Sequence, residues 1–136
     1  MLKVPSKKRG LSERLHLLRG LFMDLLVDLK PDYVVIEDNF AGNNIKTLKS
    51  LARFSGVVIE LTFDILEIDP YIMHNRTVKS YFGVKTKEEL FYAVKKKYYR
   101  YKGIKGLDYK KDNDITDAIA QCECFYNKTL LEEKGA

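Results

Sequence analysis

With 136 residues, 46% of them hydrophobic and 32% charged, the chain has the size and composition of a single globular domain, 1–136, able to bury a core without disulfide or metal staples. Its net charge of +5 favours an anionic partner without naming one. The two cysteines, Cys122 and Cys124, lie two apart on a helix and point to different faces; they suit neither a disulfide nor a chelate and read as buried or half-buried thiols of a reducing compartment. His16, Arg19, Asp24 and Asp28 interrupt the apolar run Leu15–Leu29, which speaks against a signal peptide or membrane span, so a soluble, cytoplasmic protein is expected.

In chain order, Ser12 reads as the N-cap of a helix whose apolar positions Leu15, Leu18, Phe22, Leu25, Leu26 and Leu29 recur at helical spacing until Pro31. Tyr33 to Glu37 is a strand, apolar on both faces as in a sheet covered by helices. Asp38 to Asn44 is a polar loop with one aromatic, Phe40. A helix follows from about Ile45 through Leu48, Leu51 and Ala52; beyond it, Val57–Ile59 fits either its continuation past Gly56 toward Leu61 or a strand. Ile65 to Ile68 predicts a short strand closed by Asp69-Pro70, and helices are expected over 71–81 and 86–99, the second opened by the capping box Thr86–Glu89. Gly103 to Asp112 reads as a basic loop, with Asp112 or Asn113 capping a last helix that carries Ala118, Ile119, Cys122 and Phe125 and ends before Gly135. This order predicts an α/β fold with at least one parallel strand pair.

Three acids stand out. Glu37 closes the apolar strand, where it is either a solvent-facing terminal acid or a ligand group, because ligands gather at strand ends in α/β sheets. Asp114 and Asp117 are three apart near the start of the last helix and share one face. The plain reading of that pair is a favourable interaction with the helix dipole. The functional one is convergence with Glu37 on a divalent cation, Mg²⁺ or Mn²⁺, since close carboxylates repel unless a cation neutralises them. Arg76 to Lys111 holds twelve Lys and Arg against the three acids Glu88, Glu89 and Asp108, interleaved with Tyr98, Tyr99, Tyr101 and Tyr109. That is either a solvated helix face with inward tyrosines or a phosphate-contacting surface, with Arg76, Lys79, Lys85, Lys87, Lys95, Lys96 and Lys97 as candidate DNA contacts. Phe40 is a core plug or a wedge that stacks on an unpaired base, and Asn44 is the further candidate contact from its loop. His16, beside Arg14 and Arg19 on the first helix, and His74, in the helix expected over 71–81, are poor candidates for catalytic histidines, and the sequence has no Gly-rich phosphate loop, Cys/His metal spacing or nucleophile elbow.

From about Leu11 to Cys122 the chain resembles the RuvC-type Holliday junction resolvases, including phage-borne forms. The matching stretches are Leu15 to Glu37 with its Ile-Glu end, Asn39 to Asn44, Arg76-Thr77-Val78-Lys79 with Gly83 and Lys87, and Asp114 to Ala120 with its Asp-x-x-Asp-Ala pattern. The resemblance implies an RNase H-like mixed sheet flanked by helices, and a homodimer that nicks a four-way DNA junction symmetrically at a four-acid metal site. Glu37, Asp114 and Asp117 would be three of those acids. Phe40 would contact the junction centre, Lys79 and Lys87 the DNA, and the helix after Asn44 would serve dimerisation. The family's first strand carries a further catalytic aspartate, whereas Met1 to Gly10 contains no acid. The expectation is therefore an N-terminally truncated form whose Tyr33–Ile36 strand lacks a partner. Three explanations are open: a fragment or late start (favoured here), a naturally short form, or a strand supplied by another chain.

The leading functional expectation is a metal-dependent endonuclease that resolves Holliday junctions. The alternatives are a cleavage-impaired protein that binds branched nucleic acid, a helical module whose basic face meets an acidic protein, and an RNase H-like nuclease acting on RNA.

Overall fold

Leu11–Leu29 forms α1, which starts ahead of the expected cap. Gly10 holds the N-cap position without a side-chain hydrogen bond, so Ser12 lies inside the first turn. There Glu13, ion-paired with Arg9, supplies the negative charge that a helix start favours. Lys30 ends the helix in the left-handed region (φ 44°), its N–H bonded to Leu26 O at 2.9 Å, and Pro31 bars any continuation. The computed structural model describes residues 9–38 and 44–135, so the loop residue Phe40 lies outside the described residues.

Val35–Glu37 is β1, shorter than the expected strand, and Ile45–Leu66 is α2, one continuous helix. Its N-cap is Asn44, whose side chain accepts from Lys46 N at 2.9 Å. Gly56 and the β-branched run Val57–Ile59 do not break it, because helical periodicity through Leu51, Phe54 and Val58 turns these side chains toward a shared hollow with Leu18 and Phe22 of α1. Packing of α1 on α2 is further tied by Arg19–Asp64 at 3.1 Å and by Arg14 over the Phe54 ring at 5.4 Å.

The strand expected at Ile65–Ile68 is absent, and the helix expected from Tyr71 begins later. Residues 65 and 66 are the last turn of α2, which stops at Glu67 in the left-handed region (φ 56°), its N–H bonded to Phe63 O at 2.8 Å. Pro70 then keeps the chain extended, and Tyr71–Met73 becomes β2. Tyr71 N donates to Val34 O at 2.8 Å, and α2 is the crossover between the parallel strands β1 and β2. Among the described residues this pair is the whole sheet, in place of a larger mixed one, and β1 has β2 as its partner.

Asn75–Phe82 is α3, capped by His74, whose Nδ1 accepts from Arg76 N at 3.0 Å. Gly83 (φ 69°) and Val84 return their N–H groups to Ser80 O and Lys79 O, the paired C-terminal bonds that need a left-handed residue at Gly83. Lys87–Lys97 is α4 and Tyr109–Cys124 is α5; a π-helical turn, Phe125–Leu130, leads into α6, Leu131–Gly135. Between α4 and α5 the chain makes successive turns, Tyr101 N to Tyr98 O, Ile104 N to Tyr101 O and Leu107 N to Ile104 O, in place of an open loop. Val78, Leu90, Phe91, Val94, Ala120 and Cys124 are buried where α3, α4 and α5 meet. The chain divides into two compact units, Met1–Ile72 and Met73–Ala136. Among the described residues no helix is long and apolar enough to cross a membrane.

A methyl group added at Gly56 meets nothing within 4 Å. Gly56→Ala should therefore stabilise the chain by about 0.5–1 kcal/mol in urea unfolding, as expected for an exposed helix interior. A destabilised variant would contradict a continuous α2.

Candidate functional site

The start of α5 decides how its acids are read. Asp108, rather than Asp112 or Asn113, is the N-cap: its Oδ1 accepts from Lys111 N at 3.2 Å, and Asp112 Oδ2 accepts from Asp108 N at 2.8 Å. The cap therefore takes up Asp108 and Asp112 and leaves Asp114 and Asp117 beyond the first turn, where the dipole interaction has fallen away. The helix-dipole account of that pair does not hold here.

Packing of α4 on α5 then brings a cation to these two acids. Phe91 of α4 meets the Tyr109 ring edge-on at 5.5 Å, and Leu90, Phe91 and Val94 are buried on this face. At the N-terminal end of α4, Lys87 Nζ lies 3.0 Å from Asp117 Oδ2 and 3.5 Å from Asp114 Oδ1. The Asp117 side chain is 17% exposed and that of Asp114 86%, so the site has one sheltered and one open carboxylate. Partial burial by itself would lower the Lys87 ammonium, but the hydrogen bond and charge of Asp117, joined by Asp114, outweigh it and hold the group above its ordinary value.

Glu37 is exposed at the end of β1 in the first unit. Among the described residues no group of three or more His, Cys, Asp or Glu is gathered at metal-holding spacing. What the structure brings together is thus Asp114, Asp117 and Lys87. Beside Glu37, the apolar side chains of Val34, Val35 and Ile36 line a hollow of about 500 Å³ with Leu18, Phe22 and Phe54.

The basic candidates divide by engagement. Lys95 Nζ donates to Leu107 O at 2.8 Å and fixes the turns that follow α4, while Lys97 Nζ pairs with Glu123 at 2.7 Å. Arg76, Lys85 and Lys96 are exposed and Lys79 is half-buried, and none of the four carries an ion pair among the described residues. Tyr98 and Tyr109 turn inward, whereas Tyr99 and Tyr101 are exposed, so both readings of the tyrosines apply, to different residues. Asn44 is occupied as the cap of α2.

No family model matches the chain. It is 31% identical over 122 residues to the crossover junction endodeoxyribonuclease RuvC of Dictyoglomus turgidum, covering 88% of this chain and 73% of that protein. The chain belongs to the RuvC family. The RuvC of Dictyoglomus thermophilum matches to the same extent, and that of Carboxydothermus hydrogenoformans is 28% identical over 113 residues, 79% of this chain and 66% of that one. The RuvC of T. thermophilus, solved in complex with a Holliday junction substrate, superposes with a TM-score of 0.70 at 19% identity, over 92% of this chain and 75% of that chain. This RuvC-family chain accordingly has the RuvC fold, the RNase H-like fold expected of it.

One cluster of this RuvC-family chain escaped the sequence reading. Glu123 is buried, accepting from Tyr98 Oη and paired with Lys97, while Asn127 Nδ2 donates to Tyr81 Oη and to Glu123 O, both at 3.1 Å. Burial alone would raise the Glu123 carboxyl, but the bonds from Lys97, Tyr98 and Tyr81 hold it below its ordinary range. Burial and that same carboxylate push the Tyr98 phenol up to about 12. The signal was present: Glu123 falls on the helical face of Thr116 and Ala120, where an apolar residue is the ordinary choice. Of the two thiols, Cys122 is exposed and Cys124 buried, so they do face different ways, although Cys122 is not buried as expected.

Asp108→Ala should cost about 1 kcal/mol in urea unfolding, the ordinary loss of a cap, whereas Asp114→Asn, exposed and past the first turn, should stay within about 0.5 kcal/mol. For Glu123, a lowered folded-state value means that its contribution is present above the unfolded-state value and is lost as pH falls through the folded one. Glu123→Gln should lose about 1–3 kcal/mol at pH 7. The gap between wild type and variant should close as pH drops below about 4, which urea midpoints across the acid range will check.

Proposed function

We propose that this chain is a metal-dependent, structure-selective endonuclease that resolves four-way DNA junctions, working as a homodimer. The observation that carries this reading, in a chain of the RuvC family, is the carboxylate pair Asp114 and Asp117 held on one cation at the surface of α5. Two oxygen-only side chains, one open to solvent, fit a hard divalent ion, because Mg²⁺ is usually held by one or two carboxylates together with water and substrate phosphate. Asp114 and Asp117 would hold Mg²⁺ or Mn²⁺, and Glu37 is assigned as a further acid of the reaction from its place at a strand end and from the family pattern. When bound, such an ion supplies Lewis-acid stabilisation at the phosphate and lowers the pKa of an attacking water.

The chain's own side chains do the rest. Asp114, open to solvent, presents its carboxylate toward incoming backbone, and sheltered Asp117 fixes the position of the charge it faces. Arg76, Lys79, Lys85 and Lys96 present cationic groups to phosphates, and exposed Tyr99 and Tyr101 offer faces for stacking. Lys95 and Lys97 serve this surface indirectly, by fixing the turns after α4 and the end of that helix against α5. Phe40 is assigned to the junction centre on the family pattern alone.

The deciding assay is a denaturing gel of a labelled four-way junction with Mg²⁺ or Mn²⁺, beside a matched linear duplex. Wild type should give paired nicks near the branch point. Glu37→Gln should cut slower by roughly 100-fold or more, with junction binding by gel shift changed by no more than about threefold. A junction that is bound and left uncut by wild type would reduce the proposal to branched-DNA binding. In the same gel-shift series, Lys79→Ala with Lys96→Ala should lower the salt slope of binding by about two, one for each phosphate-facing cation removed.

A further inference from the structure

We propose that Lys87 is a resident counter-ion of the Asp114–Asp117 pair, which a divalent cation must displace before it can occupy the site. This rests on the metal-site reading above and concerns how that site is loaded. Lys87 Nζ sits between the two carboxylates, 3.0 Å from Asp117 and 3.5 Å from Asp114, in the space where an ion shared by both would lie. An ammonium and a divalent ion cannot occupy it together, because they would be close enough to repel strongly with little water between them.

The backbone of Lys87 is held by the start of a helix, and its side chain is half-exposed. Lys87 is the first residue of α4, whose start is held by Thr86 Oγ1 accepting from Glu89 N at 3.1 Å and by Glu89 Oε2 accepting from Lys85 N at 3.0 Å. Its side chain is 46% exposed on a four-carbon stem, so the ammonium can swing into water while α4 stays in place. Half-exposed pairs of this kind are individually weak, so displacement is easy for an ion of twice the charge. The arrangement keeps sheltered Asp117 paired at all times, by lysine before loading and by the metal after it.

Calorimetric addition of Mn²⁺ to the full chain, compared among wild type, Lys87→Ala, Lys87→Arg and Asp117→Asn, tests this. Lys87→Ala should bind Mn²⁺ about tenfold tighter, and Lys87→Arg should stay within about threefold of wild type, because it restores a competing cation. Acetylation of Lys87, followed by mass spectrometry, should accelerate when Mn²⁺ is added to wild type and not when it is added to Asp117→Asn. Unchanged or weaker Mn²⁺ binding by Lys87→Ala, while Asp117→Asn abolishes binding, would overturn the counter-ion role and leave the metal site standing. Mn²⁺ binding that survives Asp117→Asn unchanged would remove the metal-site reading and this inference with it. Should Lys87→Ala not fold by circular dichroism, the wild-type labelling decides: no acceleration with Mn²⁺ overturns the proposal.

Discussion

Two carboxylates on one helix face repel unless a cation joins them, and in the second unit α4 supplies that cation. The ion pair of Lys87 with Asp117 and Asp114 depends on every feature around it. Gly83 turns the chain out of α3, and Thr86 starts α4 at Lys87. Asp108 starts α5 early enough to leave Asp114 and Asp117 out of its first turn. The burial of Leu90, Phe91 and Val94 sets α4 against α5. Apolar burial supplies the non-directional attraction; the caps, worth about 1 kcal/mol each, decide which residues begin each helix and hence which side chains meet.

A strongly basic segment does not behave as a single surface. Lys87, Lys95 and Lys97 are each drawn to an oxygen within the second unit: a carboxylate pair, a backbone carbonyl and a buried glutamate. Their neighbours Lys85 and Lys96 face water. The alternation follows from helix geometry, since Lys95, Lys96 and Lys97 project about 100° apart around α4 and cannot all face one partner. Positive charge thus does two things within one run of lysines, fixing the fold at some positions and standing exposed to water at others.

Local sequence patterns left a choice open, or pointed the wrong way, where two of them competed. Val57–Ile59 carries strand-forming residues, yet helical spacing on either side joins it to a face packed toward α1, and packing prevails over propensity. Ile65–Ile68 looks like a strand by composition, but it lies at the end of that same helix, and the real strand follows Pro70. At α5, Asp112 and Asn113 are plausible caps taken singly. Asp108 prevails because Asp112 bonds back to its N–H, a reciprocal pair that one-residue reasoning does not see.

What the sequence determined by itself was the set of chemical groups and their spacing along each element. Asp114 and Asp117 share a face because three residues nearly complete a helical turn, Glu37 ends an apolar strand, and α1 ends at Pro31 because proline cannot extend it. Tertiary structure decided which charges meet. No periodicity shows that Lys87 reaches Asp117 across thirty positions of chain, or that Lys97 is drawn onto a glutamate on α5. Pairing between elements depends on how their buried faces dock, and that docking is fixed by side-chain shape and volume, which no pattern along a single element records.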